Sequence, residues 1–426
     1  MKRSAAVAEL RTTAAIRARA NRVLQAGIAG KLAHFGVDES KLAEVARFTA
    51  EVTRKRYPDL RIPPHSRFGH FDAGGVARLA AVERELAGFA SLERARCLTD
   101  LVVVSVLVDA GAGNAWRYRE AATGLTIGRS EGLAIASLAW VKSGALSRRG
   151  AHYEVDADGL MHVDKASLAR AFQDAPDNPL VGLEGRVELL RALGRALLAR
   201  PDVFGSSGGR TRIGGMIDAL HARARNGQLA ADQILALVLD SLGGIWPGRL
   251  SLDGESLGDV WRHPAAGGEG ATAGLMPFHK LSQWLSYSLI HPVEVAGIRV
   301  RDLDALTGLA EYRNGGLFVD LGVLVPKHAG VLRDAHPVDS ELIVEWRALT
   351  VALLDELAPL VREQLGLDAA RLPLPAVLEG GTWAAGREIA QARREGGGPP
   401  IAVTSDGTVF RRILGRYRGP HLGRPP

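Results

Sequence analysis

The sequence predicts a mostly α-helical protein that forms one large domain over residues 1–410. Apolar residues recur at helical spacing along most of the chain, strand-like segments are few and short, and strands and helices do not alternate regularly. No internal repeat or long linker divides the 426 residues. The last segment, residues 411–426, is basic and is expected to be disordered.

Helical periodicity marks ten segments along the chain. A serine N-cap is expected to begin the second helix, and Pro277 is tolerated in the first turn of the eighth. The predicted helices cover residues 7–29, 40–55, 72–89, 93–109, 130–141, 182–199, 230–242, 277–290, 340–364 and 381–393.

Strand signals predict only a few short β-hairpins. Residues 152–162 alternate in hydrophobicity around the tetrapeptide Asp-Ala-Asp-Gly, which predicts one hairpin. Weaker strand candidates are residues 293–300, 316–325 and 401–410.

Composition excludes several classes of function. Hydrophobic residues make up 46% and charged residues 23%, as in ordinary soluble proteins. The single cysteine, Cys97, excludes disulfide frameworks and cysteine-based zinc sites. The formal charge is +6, but the positive residues are scattered as isolated arginines, so we expect no nucleic-acid partner. No apolar run is long enough to span a membrane and no signal peptide is evident, which predicts a cytoplasmic protein without a membrane partner.

One predicted helix carries a polar and aromatic stripe. Lys280, Gln283, Trp284 and Tyr287 stand at positions i, i+3, i+4 and i+7, so they share one face. A lysine beside an amide, an indole and a phenol is typical of a sugar or base pocket. The alternative interpretation is an ordinary solvated helix surface, although tryptophan and tyrosine together are uncommon there.

A second segment, residues 306–324, sets polar groups among apolar residues and glycines. An unpaired charge in such surroundings loses hydration at a cost of several kcal/mol, so it is usually paired or functional. We expect Glu311 and Arg313 to form an ion pair in an extended segment. A turn at Asn314 would then let the backbone approach a ligand. The alternative is a structural salt bridge that closes the turn.

Two further segments place carboxylates among apolar residues. Glu379 precedes two glycines and Trp383, which predicts an accessible carboxylate beside a stacking surface. The alternative is that Thr382 caps a helix and Glu379 lies near its N-terminal dipole. Glu345 and Arg347 each lie in an apolar stripe of the helix predicted at 340–364, so we expect them to form a supporting network around the site.

Other candidates are less specific. Trp116 and Arg117 lie in a polar and aromatic loop that could form a pocket wall, and the loop before Arg210 could bind a phosphate through its N–H groups. The histidines lack a ligand spacing such as HExxH, so neither a metal nor a cofactor is expected. The sequence leaves open the oligomeric state and the roles of three aspartates, Asp109, Asp320 and Asp406.

Six motifs spread over essentially the whole chain resemble a uracil-catabolism family, called URC-four in yeasts and urg-three in filamentous fungi. The motifs are RSEGLAIAS, FHKLSQWLSYSL, LTGLAEYRNGGL, VEWRALTV, LEGGTWAAGREIA and SDGTVF. This resemblance implies a role in the pyrimidine-degradation route that proceeds through ribosylurea and its 5′-phosphate.

The last third of the chain also resembles the queuosine-salvage N-glycosidases, which are helical proteins related to DNA glycosylases. That family carries a lysine–x–x–glutamine helix, an Asp-Tyr-Arg segment, a Glu-x-Arg helix and a carboxylate before an aromatic-rich helix. Two of its aspartates are glutamates here, which moves each carboxylate by one methylene. The matching residues are Lys280 and Gln283, Glu311-Tyr312-Arg313, Glu345 and Arg347, and Glu379 with Trp383.

Together the resemblances imply a hydrolase that cleaves the N-glycosidic bond of ribosylurea or phosphoribosylurea, giving urea and ribose or ribose 5-phosphate. Such cleavage needs one carboxylate for the cationic transition state and an acid for the departing urea. Glu311 and Glu379 would share these roles, and the assignment between them stays open. Lys280 would hold a ribose hydroxyl or tune a carboxylate.

The same resemblances imply the remaining roles. Arg313 would orient Glu311, Trp383 or Tyr287 would line the sugar, and a 5′-phosphate would need an arginine cluster such as Arg117 and Arg210. Two alternatives remain: a metal-assisted amide hydrolase that acts on an opened-ring pyrimidine intermediate, and a non-catalytic protein that binds a pathway intermediate or a partner enzyme.

Overall fold

Helices dominate the fold, as the periodicity predicts. The structure is a computed structural model that describes residues 4–205, 210–246 and 250–404. Its strands are short, so the mostly α-helical fold class is confirmed. Several predictions lie outside the described residues: the basic tail, Asp406 and the loop at 206–209.

The helices follow one another through the whole described chain. The first group is α1 (Ala5–Leu10), α2 (Thr13–Ile28), α3 (Leu42–Arg56), α4 (Phe68–Phe71), α5 (Arg78–Leu86), α6 (Ser91–Leu107), α7 (Arg129–Lys142), α8 (Ala157–Met161), α9 (Lys165–Phe172) and α10 (Leu183–Ala199). The second group is α11 (Pro201–Phe204), α12 (Gly215–Arg223), α13 (Ala231–Leu242), α14 (Lys280–Val295), α15 (Tyr312–Asp320), α16 (Gly330–Arg333), α17 (Glu341–Leu365), α18 (Leu374–Val377) and α19 (Trp383–Arg393).

Two helix starts differ from the prediction because of local backbone chemistry. Pro277 lies in a strand rather than in a first helical turn, and α14 begins at Lys280 because His279 adopts a left-handed conformation (φ 48°, ψ 39°). Near the N-terminus the predicted long helix is interrupted, because Thr12 caps α2 by accepting a hydrogen bond from the Ala15 N–H.

The strands form small two-stranded sheets. They are β1 (Phe35–Val37), β2 (Arg117–Arg119), β3 (Thr126–Gly128), β4 (Gln228–Ala230), β5 (Ser251–Leu252), β6 (Glu255–Ser256), β7 (Val260–Arg262), β8 (Leu275–Pro277), β9 (Arg299–Arg301), β10 (Leu324–Pro326), β11 (Ala335–Pro337) and β12 (Ala402–Thr404). Sequential antiparallel pairing joins β2 to β3, β5 to β6 and β7 to β8, while β1 pairs with β10, β4 with β9 and β11 with β12.

The hairpin predicted at residues 152–162 is wrong. Asp156 accepts a hydrogen bond of 2.7 Å from the Gly159 N–H and caps the short helix α8. The aspartate-rich tetrapeptide therefore begins a helix instead of turning a strand, since the same side chain favours both structures. The strand candidates at residues 293–300 and 316–325 each begin with the end of a helix, α14 or α15, and finish with the first two residues of a short strand, β9 or β10.

Helix packing brings three helix starts into the interior. One continuous core of buried apolar residues runs from Ile16 to Ile401. Helix α14 packs against α6 and α13, α17 packs against α2 and α3, and α15 packs against α19. The N-terminal ends of α14, α15 and α19 carry three of the predicted site residues, Lys280, Glu311 and Trp383. Within the described ranges, no helix has the length and apolar character needed to cross a membrane.

Candidate active site

Glu311 is the N-cap of helix α15. Its two carboxylate oxygens accept hydrogen bonds from the backbone N–H groups of Arg313 (2.8 Å) and Asn314 (2.5 Å). The predicted extended segment and ion pair are therefore wrong, because the Arg313 guanidinium donates to the Gly397 carbonyl at 2.8 Å instead. Asn314 lies in the first helical turn rather than in a ligand-binding loop. Arg313 thus contacts the Glu311 carboxylate through its backbone N–H and not through its guanidinium group.

Lys280 is the first residue of helix α14, and a buried ion pair fixes its backbone. The Asp259 carboxylate accepts from the Lys280 backbone N–H at 2.9 Å and from both terminal nitrogens of Arg347, at 2.9 and 2.8 Å. The Arg347 guanidinium carbon also lies 4.0 Å from the Phe278 ring centroid. The structure therefore places Arg347 where a supporting residue for Lys280 would stand.

The charges of Lys280 and Glu311 act on each other. Burial lowers the pKa of Lys280, and the Glu311 carboxylate opposes that effect. Burial raises the pKa of Glu311, while its two backbone hydrogen bonds and the charges of Lys280 and His65 oppose the rise. Glu311 is thus a partly buried carboxyl group whose pKa depends on its cationic neighbours.

Glu379 lies in a π-helical turn, Leu378–Thr382, between α18 and α19. Its Oε2 is 2.6 Å from His65 Nδ1, and its Oε1 accepts a hydrogen bond of 3.2 Å from the Tyr57 hydroxyl. Burial acts to raise the pKa of Glu379, but the hydrogen bond and charge of His65 and the charge of Arg56 outweigh it, so the pKa is lowered. The same burial, with the Glu379 charge, raises the pKa of Tyr57 to about 12.

The glycines after Glu379 serve packing rather than ligand access. A Cβ atom added at Gly381 would lie 2.5 Å from Thr49 Cγ2, and one added at Gly380 would lie 3.0 Å from Ile62 Cγ2. Only glycine lets this turn approach helix α3 so closely. π-helical turns within helices are rare and are frequent at functional sites.

His65 lies among aromatic rings beside Glu379. Its ring centroid is 6.3 Å from that of Trp284, with an interplanar angle of 26°, and 6.0 Å from that of Trp383. The His70 ring lies 5.6 Å from Trp284 and 6.4 Å from His65. Two indoles and two imidazoles thus form one wall of the site, which is typical of pockets that hold flat or sugar-like ligands.

Arg67 connects the His70 ring to Ser130 of helix α7. Its fully buried guanidinium donates to Ser130 Oγ (2.8 Å) and to His70 Nδ1 (3.1 Å), and it pairs with Asp109 at 3.0 Å. Burial and the positive charge of Arg67 lower the pKa of His70 well below its usual value, so this imidazole is neutral. The negative charge of Asp109 also acts on Lys280. Asp109 therefore pairs with a residue that contacts His70, whereas Asp320 pairs with Arg394 at 2.6 Å.

Several predicted site residues lie elsewhere. Tyr287 is 1% exposed and its hydroxyl donates to the Thr307 carbonyl, so the prediction that it lines the sugar is wrong. Gln283 is also buried, and its Oε1 accepts from the Thr307 N–H at 3.4 Å. Both face the loop before α15, because that loop covers this side of α14.

The predicted arginine cluster does not form. The Trp116 indole N–H donates to the Phe172 carbonyl at 2.8 Å, and the Arg117 guanidinium donates to the carbonyl of Asn114. Arg210 pairs with Glu154 at 3.3 Å, in a separate ionic network. The structure therefore gives Trp116, Arg117 and Arg210 structural contacts rather than a shared pocket.

Glu345 contacts residues outside the site around His65. Its Oε1 accepts from the backbone N–H groups of His34 (3.1 Å) and Phe35 (2.8 Å), and its Oε2 lies 3.5 Å from His263 Nε2. With His34 and the exposed Glu341 it forms a group whose ligand atoms lie within 4.8 Å of one another, close enough to hold a metal ion. This group shares no residue with the site around His65.

Sequence reasoning missed the residues of one irregular segment. His65 and Arg67 lie in the irregular chain between α3 and α4, and His70 lies in α4, which is too short for periodicity to indicate which side chains face inward. The available signal was the crowding of two histidines and an arginine within HSRFGH (residues 65–70), which metal-ligand spacing alone does not detect.

The fold and the site define a mostly α-helical protein with a buried carboxylate, histidine and tryptophan site. The chain belongs to the family described as "Protein of unknown function (DUF1688)", which matches residues 9–410. It is 39% identical over 410 residues to "Uracil catabolism protein 4" of Lachancea kluyveri, covering 88% of this chain and 92% of that protein. It is 40% identical over 413 residues to "Protein urg3" of Schizosaccharomyces pombe, covering 95% of this chain and 99% of that protein.

Proposed function

We propose that this protein acts in uracil catabolism as an N-glycoside hydrolase that releases urea from ribosylurea or phosphoribosylurea. The names of its relatives support the pathway. The observation that carries the chemistry is the pair of partly buried glutamates near His65, Glu311 and Glu379, whose surroundings move their pKa values in opposite directions. Such divergence is typical of carboxyl pairs that divide two roles in one reaction.

Glu311 is assigned to the sugar carbon. Its oxygens are held only by backbone N–H groups, and each carboxylate oxygen keeps a further lone pair. Cleavage of an N-glycoside develops positive charge at C1, and an enclosed, prepositioned carboxylate stabilises that charge more strongly than water does. The charge of Lys280 opposes the rise in the Glu311 pKa, and Lys280 would hold a ribose hydroxyl.

Glu379 is assigned to the side of the leaving group. The side chains of His65 and Tyr57 already occupy its two oxygens, so it is less free than Glu311 to meet a carbon atom. Its role is therefore to organise the groups that receive the departing urea. Trp284 and Trp383 would line the remaining surface.

Two arginines near Glu379 and Trp383 are candidates for binding a 5′-phosphate. Arg56 lies 3.6 Å from Glu379, and Arg387 lies 5.8 Å from the Trp383 ring, so these two replace Arg117 and Arg210 as candidates for a 5′-phosphate. Ribosylurea and phosphoribosylurea should therefore be compared directly.

The test is urea release by the purified, chelator-treated protein from each compound. We expect turnover that falls at least about 100-fold in Glu311→Gln and in Glu379→Gln, because each change removes a prepositioned charge. Glu51→Gln, on an exposed face of α3, is the matched control and should keep full activity. Absence of urea from both compounds would refute the proposal.

The same variants separate the two alternatives. A non-catalytic binding protein would bind a ribosylurea without turnover in every variant. Urea release or amide cleavage that chelation abolishes and zinc restores, and that His34→Gln removes, would instead favour a metal-assisted amide hydrolase at the group of His34, Glu341 and Glu345.

A further inference from the structure

We propose that His65 is the acid that protonates the departing urea nitrogen, and that Glu379 is the residue that orients it. This inference rests on the proposed N-glycoside hydrolysis and adds the residue that serves the leaving group. It concerns a histidine that motif spacing gives no reason to select, and it depends on the geometry of the imidazole.

The hydrogen bond between His65 and Glu379 fixes the imidazole tautomer. An ionised carboxylate only accepts, so His65 Nδ1, at 2.6 Å from Glu379 Oε2, must carry a hydrogen. The Nε2 atom is then the ring nitrogen left for chemistry. It has no hydrogen-bond partner among the described residues. It is also not completely buried, so a ligand can reach it. His65 as a whole is 5% exposed, so Nε2 meets the interior of the site.

The surroundings hold the ring in this orientation. Trp284 and Trp383 lie 6.3 and 6.0 Å from the His65 ring, and the His65 backbone N–H donates to the Pro375 carbonyl at 2.9 Å. A carboxylate that bonds one imidazole nitrogen and leaves the other facing the substrate is a recurring arrangement in acid–base catalysis. It positions the proton and stabilises the imidazolium form.

The alternative proton donors near the leaving group are less suitable. The pKa of Glu379 is lowered, so it holds no proton near neutral pH. Because its pKa is lowered, His70 is neutral and carries a single ring proton. Its Nδ1 accepts a hydrogen bond from the Arg67 guanidinium, so that proton is on Nε2, and a neutral imidazole is a weak acid. A positive charge on His65 acts to lower the pKa of Glu311, so the proposed proton donor and the proposed cation-stabilising carboxylate belong to one electrostatic environment.

The proposed step is balanced as follows. The bond between C1 and nitrogen breaks, its electron pair stays on the nitrogen, and the His65 Nε2 proton moves to that nitrogen to complete urea. Water adds to C1 opposite the charge of Glu311, and the proton that water loses returns to His65 Nε2. The net reaction consumes one water and yields urea and ribose or its 5-phosphate.

The experiment compares two leaving groups in wild-type protein and in His65→Gln. Urea must be protonated to depart, whereas the nitrophenolate of 4-nitrophenyl β-ribofuranoside departs as an anion. We expect His65→Gln to lower urea release by about 10²–10⁴-fold while nitrophenolate release stays within about threefold of wild type. Glu311→Gln should lose both activities, and His221→Gln, at an exposed position of α12, should lose neither.

Three outcomes are distinguishable. An equal loss on both substrates, or no loss on either, would overturn the role of His65 and leave the proposed function intact. Absence of urea from the wild-type protein would overturn the proposed function and this inference with it. Because His65→Gln could fold poorly, circular dichroism and the restoration of urea release in His65→Ala by added imidazole provide a second measurement, and failure of imidazole to restore a folded variant would count against the proposal.

Discussion

The Thr382 hydroxyl donates a buried hydrogen bond of 2.8 Å to Asn314 Oδ1. This contact joins the π-helical turn that carries Glu379 to the first turn of the helix that Glu311 caps. One bond between two neutral side chains therefore helps to set the separation of the two glutamates, together with the packing of α15 against α19.

Replacing Thr382 by Val tests this connection. The change keeps the shape of the side chain but leaves Asn314 Oδ1 unsatisfied, so we expect a loss of about 1–3 kcal/mol in the free energy of unfolding. Urea release should fall as well, because this hydrogen bond would no longer hold together the two segments that carry Glu311 and Glu379. Denaturant unfolding and steady-state kinetics measure both effects, and Thr382→Ser, which keeps the hydroxyl, should restore activity.

The acid side of the pH–rate profile tests the coupling of Lys280 to Glu311. Glu311 must be ionised to stabilise a cation, and burial raises its pKa above the usual 4.5. Lys280 opposes that rise, so Lys280→Met should raise the pKa further and move the fall in kcat/KM to higher pH. Lys280→Arg keeps the charge and should leave the limb in place. An acid limb that does not move in Lys280→Met would show that the two groups are uncoupled.

The Arg347–Asp259 pair is expected to stabilise the fold strongly. Arg347→Met leaves the buried Asp259 carboxylate without its charge partner, which costs about 3–5 kcal/mol in comparable pairs. The matched control is Arg47→Met, which removes an ion pair whose side chains are 61% and 55% exposed and should cost no more than about 0.5 kcal/mol. Denaturant unfolding of both variants checks the contrast, and equal effects would contradict it.

Close packing of α15 against α19 predicts a severe effect at Gly386. A Cβ atom there would lie 2.1 Å from the Arg313 carbonyl oxygen, so Gly386→Ala must push the two helices apart. We expect a destabilisation of about 1–3 kcal/mol and a loss of activity. Gly244, with open space around its Cβ position, provides the control, and Gly244→Ala should leave the unfolding midpoint nearly unchanged.

The fold class could be predicted because helical periodicity is long and repeated. Local errors arose where one residue type favours two structures, as Asp156 does, or where a helix has an unusual cap. Glutamate is not among the preferred N-cap residues, so the start of α15 at Glu311 was interpreted as extended chain. That single error also produced the incorrect ion pair with Arg313.

The site could be predicted only in part, for a geometric reason. Lys280, Trp284 and Tyr287 do share a helical stripe, but a span of seven residues covers about 10 Å, so its two ends have different neighbours. The loop at Thr307 covers the Tyr287 end, and periodicity carries no information about such coverage. His65 lies in an irregular segment, where the spacing of residues along the sequence does not indicate which side chains face the site.

The bond between His65 and Glu379 connects positions 314 residues apart. During synthesis, the ribosome must therefore extend the chain past helix α19 before the two side chains can meet. Nascent chains and N-terminal proteolytic fragments that end before Glu379 would lack this contact. Its formation therefore requires synthesis of nearly all of the described chain.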